Sequence, residues 1–186
     1  MSKLENAVPG YTHLAIEPYT PNIGATVHDI DLAHLGDESL RAELRKALFE
    51  FQVLFFRKQT LTPEQQIELA KVFGDPDKAK AFFPRHAKHS VIEVLESKPS
   101  GHRYGTDQWH ADITFSANPP TGTVLYSHVI PTSGGDTLWA SATAVSRPWR
   151  GSSSMSSAAC LKRSYSCRRR TSSARGSASS PSSLTG

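Results

Sequence analysis

The sequence predicts an α+β fold with its strands gathered mainly in the later part. Two segments carry apolar residues at helical spacing behind good capping residues, and short β-prone runs punctuated by Pro and Gly surround them. This patterning stops after Val145, where the composition changes abruptly.

The first β signal is "YTHLAIEPYTPNIGATVHDIDL" (11–32), which predicts two or three short strands. "GDESLRAELRKALFEFQ" changes the period. Leu40, Leu44, Leu48 and Phe51 recur on one helical face, and Asp37 stands where an N-cap belongs. The apolar run "VLFF" (53–56) predicts a short buried strand. "TPEQQIELAKVFG" predicts a second helix: Thr62 is the N-cap, Pro63 the first helical residue, Gln65 the partner in a capping box and Gly74 the stop. "VIEVLE" (91–96) predicts a strand between loops rich in His, Lys and Pro. "QWHADITF" and "GTVLYSHVI" predict two more, and the glycines of "PTSGGDT" form a tight hairpin leading into "LWAS".

Charge divides the chain at the same place. Residues 146–186 hold eight of the 21 basic residues and none of the 17 acidic ones, so residues 1–145 carry a net charge of −4. A mildly acidic body argues against tracking a phosphate backbone, so nucleic acid is not an expected partner of residues 1–145. Both cysteines, Cys160 and Cys167, lie in the tail, so the body has neither a disulfide framework nor a zinc knuckle, which fits a reducing, cytoplasmic setting. The first residues show no basic segment followed by an apolar run. No stretch reaches the roughly 18 apolar residues of a membrane span, and a membrane is not expected as a partner either.

His110 and Asp112 are two apart in a predicted strand, a spacing that places both side chains on one face. An imidazole nitrogen beside a carboxylate oxygen makes two ligands of the facial triad that non-haem iron(II) uses while keeping positions open. By itself the pair also reads as a surface histidine beside a solvated aspartate. Trp109 and Trp139 read as core aromatics. Lys80, Arg85, His86, Lys88 and His102 could receive an anionic group or form a solvated basic loop.

The longer strings "WHADITF", "NPPTGTVL" and "SGGDTLW", with "IGATVHDIDL" and "QVLFFRKQTLTPEQQIELAKVFG" upstream, closely resemble the taurine dioxygenase and 2,4-dichlorophenoxyacetate dioxygenase family over residues 11 to 145. The resemblance implies a partial double-stranded β-helix, or jelly roll, with flanking helices. It makes His110 and Asp112 iron(II) ligands and gives the Thr137 hydroxyl to a carboxylate of the co-substrate 2-oxoglutarate. Substrate-contacting positions would fall at Lys80, Phe83 and Thr106, and differ there from taurine-cleaving members. The implied reaction hydroxylates a small organic anion (a sulfonate, sulfate ester or carboxylate) with dioxygen and releases succinate and carbon dioxide. The family's third ligand is a distal histidine, with an arginine beyond it for 2-oxoglutarate. After Asp112 this chain has a single histidine, His128, where the family places no ligand.

Residues 146–186 contain 15 serines, and their low apolar content predicts a disordered Ser/Arg-rich tail. Three readings of it compete: a shifted reading frame near codon 145, a basic interaction tail for nucleic acid or another polyanion on a non-catalytic fragment, and a metal clip at Cys160 and Cys167. Ser, Arg, Ala, Pro and Gly without acids favour the first, because GC-rich DNA read out of frame encodes that set. Sequencing the coding DNA is expected to show, in another frame past codon 145, a segment bearing the distal histidine and arginine; meaningless text in every frame would remove this reading.

Overall fold

The computed structural model describes residues 8–76, 83–96, 108–133, 136–146 and 160–164. The predicted Lys80 and Thr106 positions, His102 and the hairpin glycines Gly134 and Gly135 lie outside the described residues.

The chain opens with β1 (Ala15–Pro18) and β2 (Ala25–His28), antiparallel with Ile16 opposite Val27. Gly24, at φ +86, makes the turn between them possible: its carbonyl accepts the Tyr19 N–H at 2.7 Å, and this left-handed backbone costs a side-chain-bearing residue more than it costs glycine. Helix α1 (Glu38–Phe51) follows, and β3 (Leu54–Phe56) then runs parallel to β2. Parallel neighbours need a crossover, and α1 supplies it. The first sheet therefore has the order β1-β2-β3.

Both helix starts match their sequence signals. The Asp37 carboxylate accepts the Leu40 N–H at 3.1 Å. In α2 (Pro63–Phe73) the Thr62 hydroxyl accepts the Gln65 N–H, and the Gln65 side chain accepts the Thr62 N–H at 2.8 Å, a reciprocal box. The end of α1 is less regular. Gln52 adopts φ +63, which costs a non-glycine residue roughly 1–2 kcal/mol, and its N–H donates to the Leu48 carbonyl. Its side chain is tied to the Asn22 carbonyl and accepts the Ser141 hydroxyl, contacts that fix the residue there.

Leu44 and Ala47 of α1, Leu69 and Val72 of α2, and Ile16 and Val27 of the sheet meet in one core. Ile16 and Leu44 are fully buried, each worth about 1.5–3 kcal/mol of transfer free energy. Arg45 donates to the Val72 carbonyl, joining α1 to the last turn of α2, where a cation is favoured. No helix among the described residues is long and apolar enough to cross a membrane.

Later elements depart from the sequence reading. "VIEVLE" forms only an isolated bridge, Arg85 to Glu93, within a loop closed by backbone hydrogen bonds. "GTVLYSHVI" is not in a described ladder, although Val124 and Tyr126 pack against the core at the predicted alternation. "LWAS" is a strand, β4 (Thr137–Ser141), followed by α3 (Ala142–Ser146), but β4 pairs with β5 (Cys160–Ser164) instead of closing a hairpin with 122–130. Cys160–Ser164 lies inside the segment expected to be disordered. A partner strand's backbone donors and acceptors can order a segment whose side chains show no periodicity.

Glu43 ties the N-terminal segment to α1, with one oxygen accepting the Thr12 N–H at 2.7 Å and the other the His13 N–H at 2.9 Å. Burial alone would raise its pKa, but these hydrogen bonds outweigh burial and hold it below the ordinary glutamate range. A carboxylate depressed on folding contributes stability that is complete above its unfolded value, about 4.3, and lost as pH falls through the folded value. Denaturant midpoints followed by circular dichroism are expected to fall below about pH 4.3, with a shallower decline in Glu43→Gln.

Candidate metal site

In the segment 108–118 His110 is a single β-bridge residue and Asp112 begins a turn, so the continuous strand predicted there is not formed. Residues 112–115 form a turn, and Ile113 has φ +52, a left-handed value that no β ladder accommodates. Asp112 Oδ1 lies 3.5 Å from His110 Nε2, and the turn carries the chain away after the pair. Trp109, expected in the core, is 46% exposed, while Trp139 on β4 is half-buried.

The ring of His110 is held from its other side. Nδ1 lies 2.8 Å from the Gln108 carbonyl oxygen, which can only accept, so Nδ1 carries the proton. In the neutral imidazole Nε2 then holds the lone pair, the state a metal ligand requires. Nε2 and Oδ1 are both acceptors in that state, and a cation between them relieves their repulsion. Two donors about 2.1 Å from one ion at a right angle lie about 3.0 Å apart, so the observed 3.5 Å is close to a shared-ion spacing. Both side chains are about one-third exposed, open enough for further ligands to approach.

Asp112 Oδ2 accepts a hydrogen bond from the Thr123 hydroxyl at 3.0 Å. Thr123 was missed as a site residue. It lies in the quoted "NPPTGTVL" string, but nothing in its spacing from Asp112 announces contact, because the intervening turn sets the approach.

The other candidates lie on separate segments. Thr137 begins β4 and is half-buried. Phe83 is half-buried at the start of the loop 83–96. Arg85 and Lys88 are exposed on that loop, and its His89 reaches Glu64 in the first turn of α2 at 2.9 Å. His128 stacks edge-on against Tyr126, with ring centroids 4.8 Å apart. Among the described residues, no group of three His, Cys, Asp or Glu side chains is placed to hold a metal.

A profile of the taurine catabolism dioxygenase TauD, TfdA family matches residues 15–148. The chain belongs to that family. Among curated relatives, it is 31% identical over 147 residues to an alpha-ketoglutarate-dependent sulfate ester dioxygenase of Pseudomonas putida, covering 73% of this chain and 44% of the relative. It is 34% identical over 128 residues to an alkylsulfatase of Acinetobacter baylyi, covering 68% and 39%. The fold superposes on a taurine dioxygenase from Burkholderia xenovorans with TM-score 0.60 and 30% identity, over 75% of this chain and 49% of that one. The chain thus spans less than half the length of these curated relatives. The described residues form a partial sheet with helices, and the structural neighbours are dioxygenases of this family, which has a jelly-roll fold. Iron(II) with 2-oxoglutarate, expected from the resemblance, is the cofactor set of this dioxygenase family, and the Pseudomonas relative is named for alpha-ketoglutarate dependence.

Tyr126 seats the 122–130 segment that carries Thr123. Its hydroxyl accepts the Leu61 N–H at 3.3 Å and donates to the Gln59 carbonyl at 3.4 Å. Tyr126→Phe leaves a part-buried N–H without this partner and is expected to cost about 0.5–1.5 kcal/mol in denaturant unfolding. Faster hydrogen exchange should accompany this at the Leu61 amide.

Proposed function

We propose that this chain supplies the first two iron(II) ligands, His110 and Asp112, of a 2-oxoglutarate-dependent dioxygenase acting on a small organic anion, with a sulfate ester the preferred class. The observation that carries the metal reading is the 3.5 Å approach of His110 Nε2 to Asp112 Oδ1, with Nδ1 committed to the Gln108 carbonyl. The sulfate-ester preference rests on the names of the Pseudomonas and Acinetobacter relatives.

Bound iron(II), with 2-oxoglutarate and dioxygen, would supply the oxidising chemistry that converts the keto acid to succinate and carbon dioxide while the substrate is hydroxylated. The chain's own residues have narrower roles. His110 presents a neutral nitrogen donor fixed in tautomer and ring orientation by a backbone carbonyl. Asp112 supplies a charged oxygen donor that offsets part of a dication's charge. Thr137, half-buried at the start of β4, would offer its hydroxyl to a carboxylate of the keto acid.

A facial triad has three protein donors, and this pair supplies two. The competing reading is therefore a non-catalytic polypeptide whose Ser/Arg-rich end binds a polyanion. One assay separates them. Purified chain given iron(II), 2-oxoglutarate and an alkyl sulfate is expected to consume oxygen and form succinate, with turnover abolished in His110→Ala. Wild-type chain that forms no succinate under saturating iron and keto acid would rule out the enzymatic reading for this polypeptide.

A further inference from the structure

We infer that Thr123 is a positioning residue that restricts Asp112 to binding metal through one oxygen. The inference rests on the proposed role of His110 and Asp112 and adds a third side chain with a distinct task.

Asp112 occupies a turn, where no ladder hydrogen bonds fix the direction of its side chain. Among the described residues its carboxylate has two side-chain partners, His110 and Thr123. They take different oxygens: Oδ1 faces His110 Nε2 at 3.5 Å, and Oδ2 accepts the Thr123 hydroxyl at 3.0 Å. A carboxylate left alone can turn both oxygens onto one cation. The donated hydrogen bond draws electron density and orientation away from Oδ2, leaving Oδ1 as the stronger donor. One-oxygen ligation also leaves an additional coordination position, which a metal requiring open sites for a chelating co-substrate and dioxygen can use.

Thr123 is suited to this by its setting. The next residue, Val124, and Tyr126 pack against the core, and the Tyr126 hydroxyl is anchored on Leu61 and Gln59. Thr123 points away from that face and is exposed. Its β-branched side chain has few χ1 choices, so the hydroxyl direction follows from the backbone that Val124 and Tyr126 hold in place. Position is thereby passed from the hydrophobic core to the Asp112 carboxylate through one hydrogen bond.

The test uses the full 186-residue chain and Mn(II), whose binding is read from water-proton relaxation without turnover. Thr123→Val removes the donor at nearly constant volume, and its Mn(II) affinity is expected to fall by roughly 10-fold or more. Thr123→Ser is expected to restore most of it. Isotope-edited infrared spectra of the aspartate carboxylates should show the wide stretch splitting of one-oxygen ligation in wild type and a narrower splitting in Thr123→Val. Unchanged Mn(II) affinity in Thr123→Val, failure of Thr123→Ser to rescue, or identical infrared splittings would each overturn the inference. His110→Ala separates the two levels. If it weakens Mn(II) while Thr123→Val does not, the metal pair stands and only the role of Thr123 falls. If His110→Ala leaves Mn(II) binding unchanged, or wild type binds none, the metal reading and this inference fall together.

Discussion

The site depends on the seating of residues 122–130 against the core built by α1, α2 and the first sheet. Val124 and Tyr126 contribute apolar surface to that contact, and the Tyr126 hydroxyl satisfies the Leu61 N–H and reaches the Gln59 carbonyl. The hydrogen bonds give the contact a register that apolar burial alone, being non-directional, does not. Thr123 inherits its position from this register, and the Asp112 carboxylate meets Thr123.

The electrostatics of the pair follow from its neighbours. A backbone carbonyl on Nδ1 leaves Nε2 as an acceptor in the neutral ring, and Nε2 faces a carboxylate oxygen too distant for an ordinary hydrogen bond. Two acceptors held face to face in this way are stabilised by a cation. Among the described residues, ionic contacts away from this site tie segments together. Glu43 fastens the N-terminal segment to α1, and the Glu64 carboxylate, held low by its own backbone N–H, by Thr62 and by His89, joins the loop 83–96 to α2.

The profile covers 15–148, and α3 closes at Ser146. Beyond it, Cys160–Ser164 pairs with β4 through backbone hydrogen bonds, a mode of order that requires no particular side chains. Along 122–130, Val124 and Tyr126 pack on the core while Leu125, Val129 and Ile130 are exposed.

Local chemistry made part of this molecule legible from the sequence. Caps are read within four residues: the Asp37 cap and the Thr62–Gln65 box are each a side chain meeting a nearby backbone group, so both helices could be placed in advance. The family strings likewise named His110 and Asp112 without coordinates. Long-range pairing was not legible. Whether 122–130 joins a ladder, and whether β4 pairs with it or with residues 160–164, depends on partners distant in sequence, and the residues' own periodicity cannot specify them. The strand predicted through His110 failed for a related reason. Alternating polarity at "QWHADITF" fits an extended chain, but the left-handed Ile113 turns the chain after Asp112 and ends any strand there, and the returning segment sets the Thr123 hydroxyl on Asp112 Oδ2. The sequence by itself determined which donor atoms are present, while the tertiary structure decided how they meet, because a carboxylate's direction is set by hydrogen bonds from residues that only folding brings near.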